Sequence, residues 1–186
     1  MDDLDVCKRL YAIGASNQVI RDAINIVNNK KPNPEKLVLV EGPWAIDKAF
    51  SSGAVLVKAF IAPELLNIPE TKKMARLLQE RAEMAYSVSG KTFGKLSELD
   101  KSSCIEALFQ LPRYSLDDLS MGRKNIVVVA DAIEIPGNIG TILRTIDAVS
   151  GTALFLCNKR VRVTHPKVIK GSQGACFHVP LNGNCG

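Results

Sequence analysis

A chain of 186 residues with a hydrophobic fraction of 46% has room for one large domain or two small ones, and carries too much apolar side chain for disorder. No apolar run is long enough to span a bilayer, and the opening MDDLDVCKRL is charged with no apolar core behind it, so neither a membrane span nor a signal peptide is expected and the default compartment is the cytoplasm. The net charge of +5 suits a polyanionic partner, while five cysteines with no C-x-x-C pair argue against a disulfide framework and against a zinc site.

In chain order, Val19, Ile20, Ala23, Ile24 and Val27 fall at helical spacing and predict a helix ending near Asn28. NNKKPNPEK follows as a polar turn with two prolines. KLVLV, residues 36–40, predicts a short buried strand that Glu41-Gly42-Pro43 breaks. Pro43 suits the first position of the next helix, where its missing N–H is not needed. Ala45, Ile46, Ala49 and Phe50 make one face of that helix, and Gly53 ends it. The alternation continues with VLVKAFIA as a strand, a helix after Pro69 marked by Met74, Leu77 and Leu78, AYSVS as a strand, TFGKLSEL as a short helix and IEALFQL as a strand ending at Pro112. This pattern predicts an α/β layered domain over residues 1–112. Trp44 is expected to pack at the start of its helix, with base stacking as the alternative. Residues 113–124 read as a linker.

A second unit, residues 125–186, opens with IVVVA, whose β-branched run predicts a fully buried strand. EIPGN is a turn, and Ile139, Ile142, Leu143, Ile146 and Val149 then mark one helical face. Gly151 closes that helix, TALFL is the next strand, and together they form a βαβ unit with parallel strands. A basic loop, a short helix around Pro166 to Lys170 and CFHVP as a third strand complete the segment, and His178 is expected on a sheet face. Freestanding domains usually run to about 100–150 residues, and a buried parallel sheet needs helices on both faces. By length alone this unit is expected to be incomplete.

The stretch that carries chemistry is DAIEIPGNIGTILRT, residues 131–145. A buried strand ends, a glycine-containing turn follows and an amphipathic helix begins, and in open α/β sheets ligands bind beyond the carboxyl ends of strands. Gly137 and Gly140 permit close approach of a backbone or ligand, Asn138 is placed at or near the N-cap, and Arg144 lies off the apolar face. A purely structural reading is available for the same residues, with Asn138 capping the helix and Arg144 pairing with Asp147 at i+3. The pattern is neither a P-loop nor a G-x-G-x-x-G fingerprint. G-N-I-G resembles the clamp of a KH domain, but that clamp lies between two helices and here a strand comes first.

Taken together, DAIEIPGNIGTILRTIDA closely resembles the first signature motif of the SpoU/TrmH RNA methyltransferases of the knotted SPOUT superfamily, with its Asn-x-Gly-x-x-x-Arg core at Asn138, Gly140 and Arg144. THPKVIKGSQGACFHVPL resembles that family's Ser-x-Gly-Ala segment, and KLVLVEGPWAIDKAFSSG and KLSELDKSSCIEALFQLP resemble its N-terminal substrate-binding domain. The resemblance implies an N-terminal α/β RNA-binding domain followed by part of a parallel-sheet methyltransferase domain. It implies methyl transfer from S-adenosylmethionine to a ribose 2′-oxygen of structured RNA, ribosomal RNA being the expected substrate. It assigns Arg144 to the reacting hydroxyl and the RNA phosphate, and Asn138 to organising the site around it. A guanidinium holds its proton too firmly to act as a simple base, so charge stabilisation and positioning is the role expected of Arg144. Lys159, Arg160, Arg162, Lys167 and Lys170, with no acid among them, are candidate phosphate contacts, and His165 would add charge at lower pH. Glu41, ending its strand, would orient RNA or cap the turn. No histidine or cysteine stands at metal-ligand spacing.

Two further motifs of that family, Gly-Asn-Glu after another strand and Ser-Leu-Asn opening the last helix, do not occur before Gly186. In the family those loops form the knot and build most of the cofactor pocket. The resemblance therefore implies an incomplete cofactor site in these 186 residues, and a doubtful version of the homodimer that is typical of the family. Two readings stay open: a methyltransferase, and a non-catalytic RNA-binding protein using the first domain and the basic loop. A nucleotide-binding α/β protein unrelated to methylation is a third.

Overall fold

The computed structural model of the chain describes residues 10–29, 31–96, 104–115, 117–119 and 122–185. Two compact units divide it, residues 1–51 with 55–110, and residues 52–54 with 111–186.

The first unit runs β1 (Tyr11–Ala12), α1 (Gln18–Val27), β2 (Leu37–Glu41), α2 (Pro43–Ser51), β3 (Val55–Ile61), α3 (Pro69–Arg81), β4 (Met84–Ser87), α4 (Gly90–Phe93) and β5 (Ile105–Gln110). Its five strands form one sheet in the order β1-β4-β3-β5-β2. β4 lies parallel to β1 and β3, while β5 runs antiparallel to β3 and β2. Each helix starts for a local reason. The Asn17 side chain accepts from the Val19 N–H at 2.9 Å and caps α1, and Pro43 and Pro69 open α2 and α3. Ile20 and Ala23 of α1 pack with Phe60, Tyr86, Val88, Phe93 and Leu108 in the core. β5 sits between β3 and β2, so Ile105 to Phe109 are all buried, with no alternation left to solvent. The two-residue β1 escapes the sequence reading because it is too short to show any period. Residues 97–99 of the predicted TFGKLSEL helix lie outside the described residues.

The second unit runs β6 (Val127–Asp131), α5 (Pro136–Ala148), β7 (Ala153–Cys157), α6 (Pro166–Ser172) and β8 (Leu181–Cys185), with the strands all parallel in the order β6-β7-β8. Two expectations are corrected here. CFHVP is not the third strand. Gln173 and Gly174 take left-handed backbone angles, φ +50° and +93°, and turn the chain into one 3-10 turn at Ala175–Phe177 before β8 begins at Leu181. The apolar side chains of Cys176 and Phe177 are buried, as a strand's would be, and period alone does not separate the two cases. β6 is not fully buried either. Its side chains alternate between faces, and Val129 is 64% exposed on one while Ala130 is buried on the other. No helix among the described residues is long and apolar enough to cross a membrane.

Candidate functional site

The first turn of α5 sets the geometry of the motif segment. β6 ends at Asp131, and the chain enters the helix through Ile135, whose side chain makes no cap bond, with Pro136 at the first helical position. Asn138 is therefore not the N-cap. It lies inside the first turn, its backbone N–H donating to the Ile135 carbonyl at 3.0 Å, and its side chain is exposed. Proline supplies the helical φ and lacks an N–H, so the helix starts two residues before Asn138.

The two glycines of the motif have different surroundings. A Cβ on Gly137 would meet nothing within 4 Å, so that position is open. A Cβ on Gly140 would stand 2.7 Å from the Val168 carbonyl oxygen and 2.8 Å from backbone atoms of Gly171 and Ser172. Gly140 is thus the point where the backbones of α5 and α6 touch, which only a residue without a side chain permits.

Ile139, Leu143 and Ile146 bury the apolar face of α5, and Arg144 stands exposed beside it. Among the described residues the Arg144 side chain makes no hydrogen bond or ion pair. The partner expected for it on structural grounds, Asp147, is engaged elsewhere: His178 Nε2–H donates to Asp147 Oδ1 at 2.7 Å. His178 follows the 3-10 turn and lies on no sheet face. Asn138 and Arg144 share one helix but not one side of it, since six residues correspond to about 9 Å along the axis and about 120° around it.

At the carboxyl ends of β6 and β7, Asn158 Nδ2–H donates to Asp131 Oδ1 at 2.8 Å and ties the two strand ends together. The basic segment follows directly. Lys159, Arg160 and Arg162 are exposed before α6, and Lys167 and Lys170 are exposed on it. The Lys159 stem lies against Gly183 of β8, where a Cβ would come 3.3 Å from its Cδ. His165 caps α6, its Nδ1 accepting from the Lys167 N–H at 3.1 Å. Because α5 and α6 touch at Gly140, Arg144, Lys167 and Lys170 are carried on two helices in backbone contact.

In the first unit, Glu41 ends β2 half-buried, and its ladder partner on β5 is Glu106. Glu106 is 0% exposed, and neither of its carboxylate oxygens has a hydrogen-bond partner. Burial, with the Glu41 charge added, pushes its pKa up to about 9, so it is held as a neutral acid. The sequence reading passed over Glu106 because one acid in an apolar run does not announce which strand will be central. Trp44 does not pack into its helix. It is 56% exposed on the wall of a groove of about 960 Å³ between α2 and α3, with the Lys48 ammonium 5.9 Å from its ring centre.

Comparison with known proteins places these features. Residues 125–184 match the SpoU rRNA Methylase family. The chain is 27% identical over 167 residues to the 23S rRNA (guanosine(2553)-2′-O)-methyltransferase RlmP of Bacillus subtilis, covering 90% of this chain and 62% of that protein. It is 32% identical over 166 residues to the mitochondrial rRNA methyltransferase 3B of Danio rerio, covering 86% of this chain and 35% of that one. Among solved structures, an RNA 2′-O ribose methyltransferase superposes with a TM-score of 0.73 at 26% identity, over 94% of this chain and 66% of that one. The SpoU methyltransferase AviRb of Streptomyces viridochromogenes, in complex with AdoMet, superposes with a TM-score of 0.79 at 20% identity, over 91% of this chain and 64% of that one, which speaks for the fold. The chain thus spans less than two thirds of the length of these proteins, and its residues 125–184, the β6–α5–β7–α6–β8 unit, are the part similar to the SpoU rRNA Methylase family.

Proposed function

We propose that this chain serves 2′-O-methylation of structured RNA, with ribosomal RNA as the substrate its relatives' names favour. The methyl group comes from S-adenosylmethionine and goes to a ribose 2′-oxygen. The observation that carries the reading is Arg144, an exposed guanidinium with no partner among the described residues, on the helix that opens the family segment. A ribose hydroxyl is a weak nucleophile, and a fixed positive charge beside it stabilises the developing oxyanion. The same planar group grips a neighbouring phosphate through paired donors. On this reading Asn138 organises the open first turn beside Gly137. Lys159, Arg160, Arg162, Lys167 and Lys170 bind phosphates and fix register, and Glu41 shapes the β2–α2 turn against the RNA. The domain assignment follows: residues 1–112 grip RNA, and residues 125–186 bear the methyltransferase-type helix pair.

S-adenosylmethionine needs polar groups that are left for it to satisfy. Exposed groups of the second unit, Asn138 and Arg144 among them, stay open to a ligand, and the buried side-chain oxygens without a partner among the described residues belong to Glu106 in the first unit. The Asp131–Asn158 pair at the strand ends satisfies itself. A second reading, an RNA-binding chain without a cofactor site of its own, is favoured by the exposed basic residues Lys159, Arg160, Arg162, Lys167 and Lys170. Calorimetric titration of S-adenosylmethionine into the folded protein, with tritium transfer to 23S rRNA transcripts, separates the two. Saturable binding and label on 2′-O-methyl nucleosides, lost in Arg144→Ala, is the outcome expected for methyl transfer. RNA binding with no cofactor binding would replace it by the second reading.

A further inference from the structure

The Asp147–His178 hydrogen bond falls one helical turn from Arg144. Asp147 is the only acid of α5, and it stands at i+3 from Arg144, where oppositely charged side chains on a helix meet. Left to itself it would take the guanidinium. It also sits in the last turn of α5, where the helix carbonyls make a carboxylate unfavourable and a nearby donor welcome. His178 supplies that donor from outside the helix, Nε2–H to Oδ1 at 2.7 Å, with the two side chains 43% and 46% exposed. His178 arrives there because the left-handed pair Gln173 and Gly174 folds the chain back after α6 into the 3-10 turn. The tight turn of the Ser-x-Gly-Ala segment thus delivers an N–H donor to α5.

We propose that His178 is a positioning residue for Arg144. By holding Asp147 it keeps the carboxylate from closing an intrahelical pair with the guanidinium, and Arg144 is left available to an RNA phosphate. This rests on the reading of Arg144 as an RNA contact, and it adds a function for a histidine outside the residues assigned to RNA.

The test is filter binding of the full chain to in-vitro-transcribed 23S rRNA across a salt series, with folding of each variant checked by circular dichroism. Arg144→Ala should weaken binding about tenfold at 0.1 M salt and lower the salt slope by about 1, the signature of one lost phosphate contact. His178→Ala should shift binding in the same direction by about twofold although Arg144 is present, the reach of an exposed i,i+3 pair on a helix. The double variant His178→Ala with Asp147→Asn should return to wild-type affinity and slope, because no acid remains to capture the arginine. His178→Gln, whose amide can still donate, should also stay near wild type. A merely structural clasp would behave differently: the double variant would be as weak as His178→Ala, and that result overturns the proposal. Wild-type binding in His178→Ala beside a loss in Arg144→Ala would also overturn it while leaving the Arg144 reading intact. Unchanged binding in Arg144→Ala would overturn the RNA-contact reading, and the role of His178 with it.

Discussion

Replacing Glu106 by glutamine keeps the size of the side chain and removes its titration. Glu106 is fully buried in the interior strand β5, opposite Glu41 and beside Phe60 of β3, with neither oxygen bonded. Its folded-state pKa of about 9 lies far above the value near 4.3 expected in the unfolded chain. The sign follows from linkage. Between those two values the folded state holds the proton and the unfolded state does not, so stability is greatest below the unfolded value and falls as pH rises through the folded one. The slope approaches about 1.4 kcal/mol per pH unit. At pH 7 the interval from the unfolded value is nearly three units, so keeping the acid neutral costs on the order of 3–4 kcal/mol. Glu106→Gln should recover most of that. Urea denaturation of both proteins between pH 5 and pH 9, followed by circular dichroism, should show a stability difference that widens steadily with pH. Parallel curves, or a glutamine variant less stable than wild type at pH 7, would refute the account of Glu106 as a buried, unpartnered acid.

Three further outcomes are expected. Gly140→Ala should destabilise by about 1–3 kcal/mol in thermal or urea unfolding, since the new methyl meets backbone that cannot move aside, whereas Gly137→Ala should be neutral or gain up to about 1 kcal/mol, its surroundings being open. Asn17→Ala removes the acceptor that caps α1 and should cost about 1 kcal/mol of stability, read by denaturant midpoint. Changing Lys167 and Lys170 together to alanine should lower the salt slope of RNA binding by about 2 without altering the thermal midpoint, because both side chains are exposed.

Much of the first unit was legible along the chain because its helices announce themselves locally. Pro43 and Pro69 mark helix starts, and the stripe of Ile20 and Ala23 faces the core as its period predicts. The motif segment was legible for a similar reason, since Asn138, Gly140 and Arg144 lie within seven consecutive residues of one helix. What went astray depended on backbone turns and on which faces the fold covers. CFHVP and a true strand share the same apolar content, and the two left-handed residues before it decided the matter. IVVVA has the composition of a doubly covered strand, yet Val127 and Val129 share a face of β6 that is left open while Ala130 is buried on the other. Trp44 looks like core and lies exposed.

Composition, helical period and the order of short motifs were enough to establish an α/β chain with a basic segment and the Asn-x-Gly-x-x-x-Arg helix, because each is a property of neighbouring residues. Three matters were settled by packing. Gly140 serves a helix crossing, Asp147 is bound by a histidine 31 residues away and not by the arginine 3 residues away, and Glu106 is sealed in the middle of a sheet without a partner. Each of these is a contact between segments far apart in sequence. A linear pattern records which groups are available for such contacts, and the fold determines which of them meet.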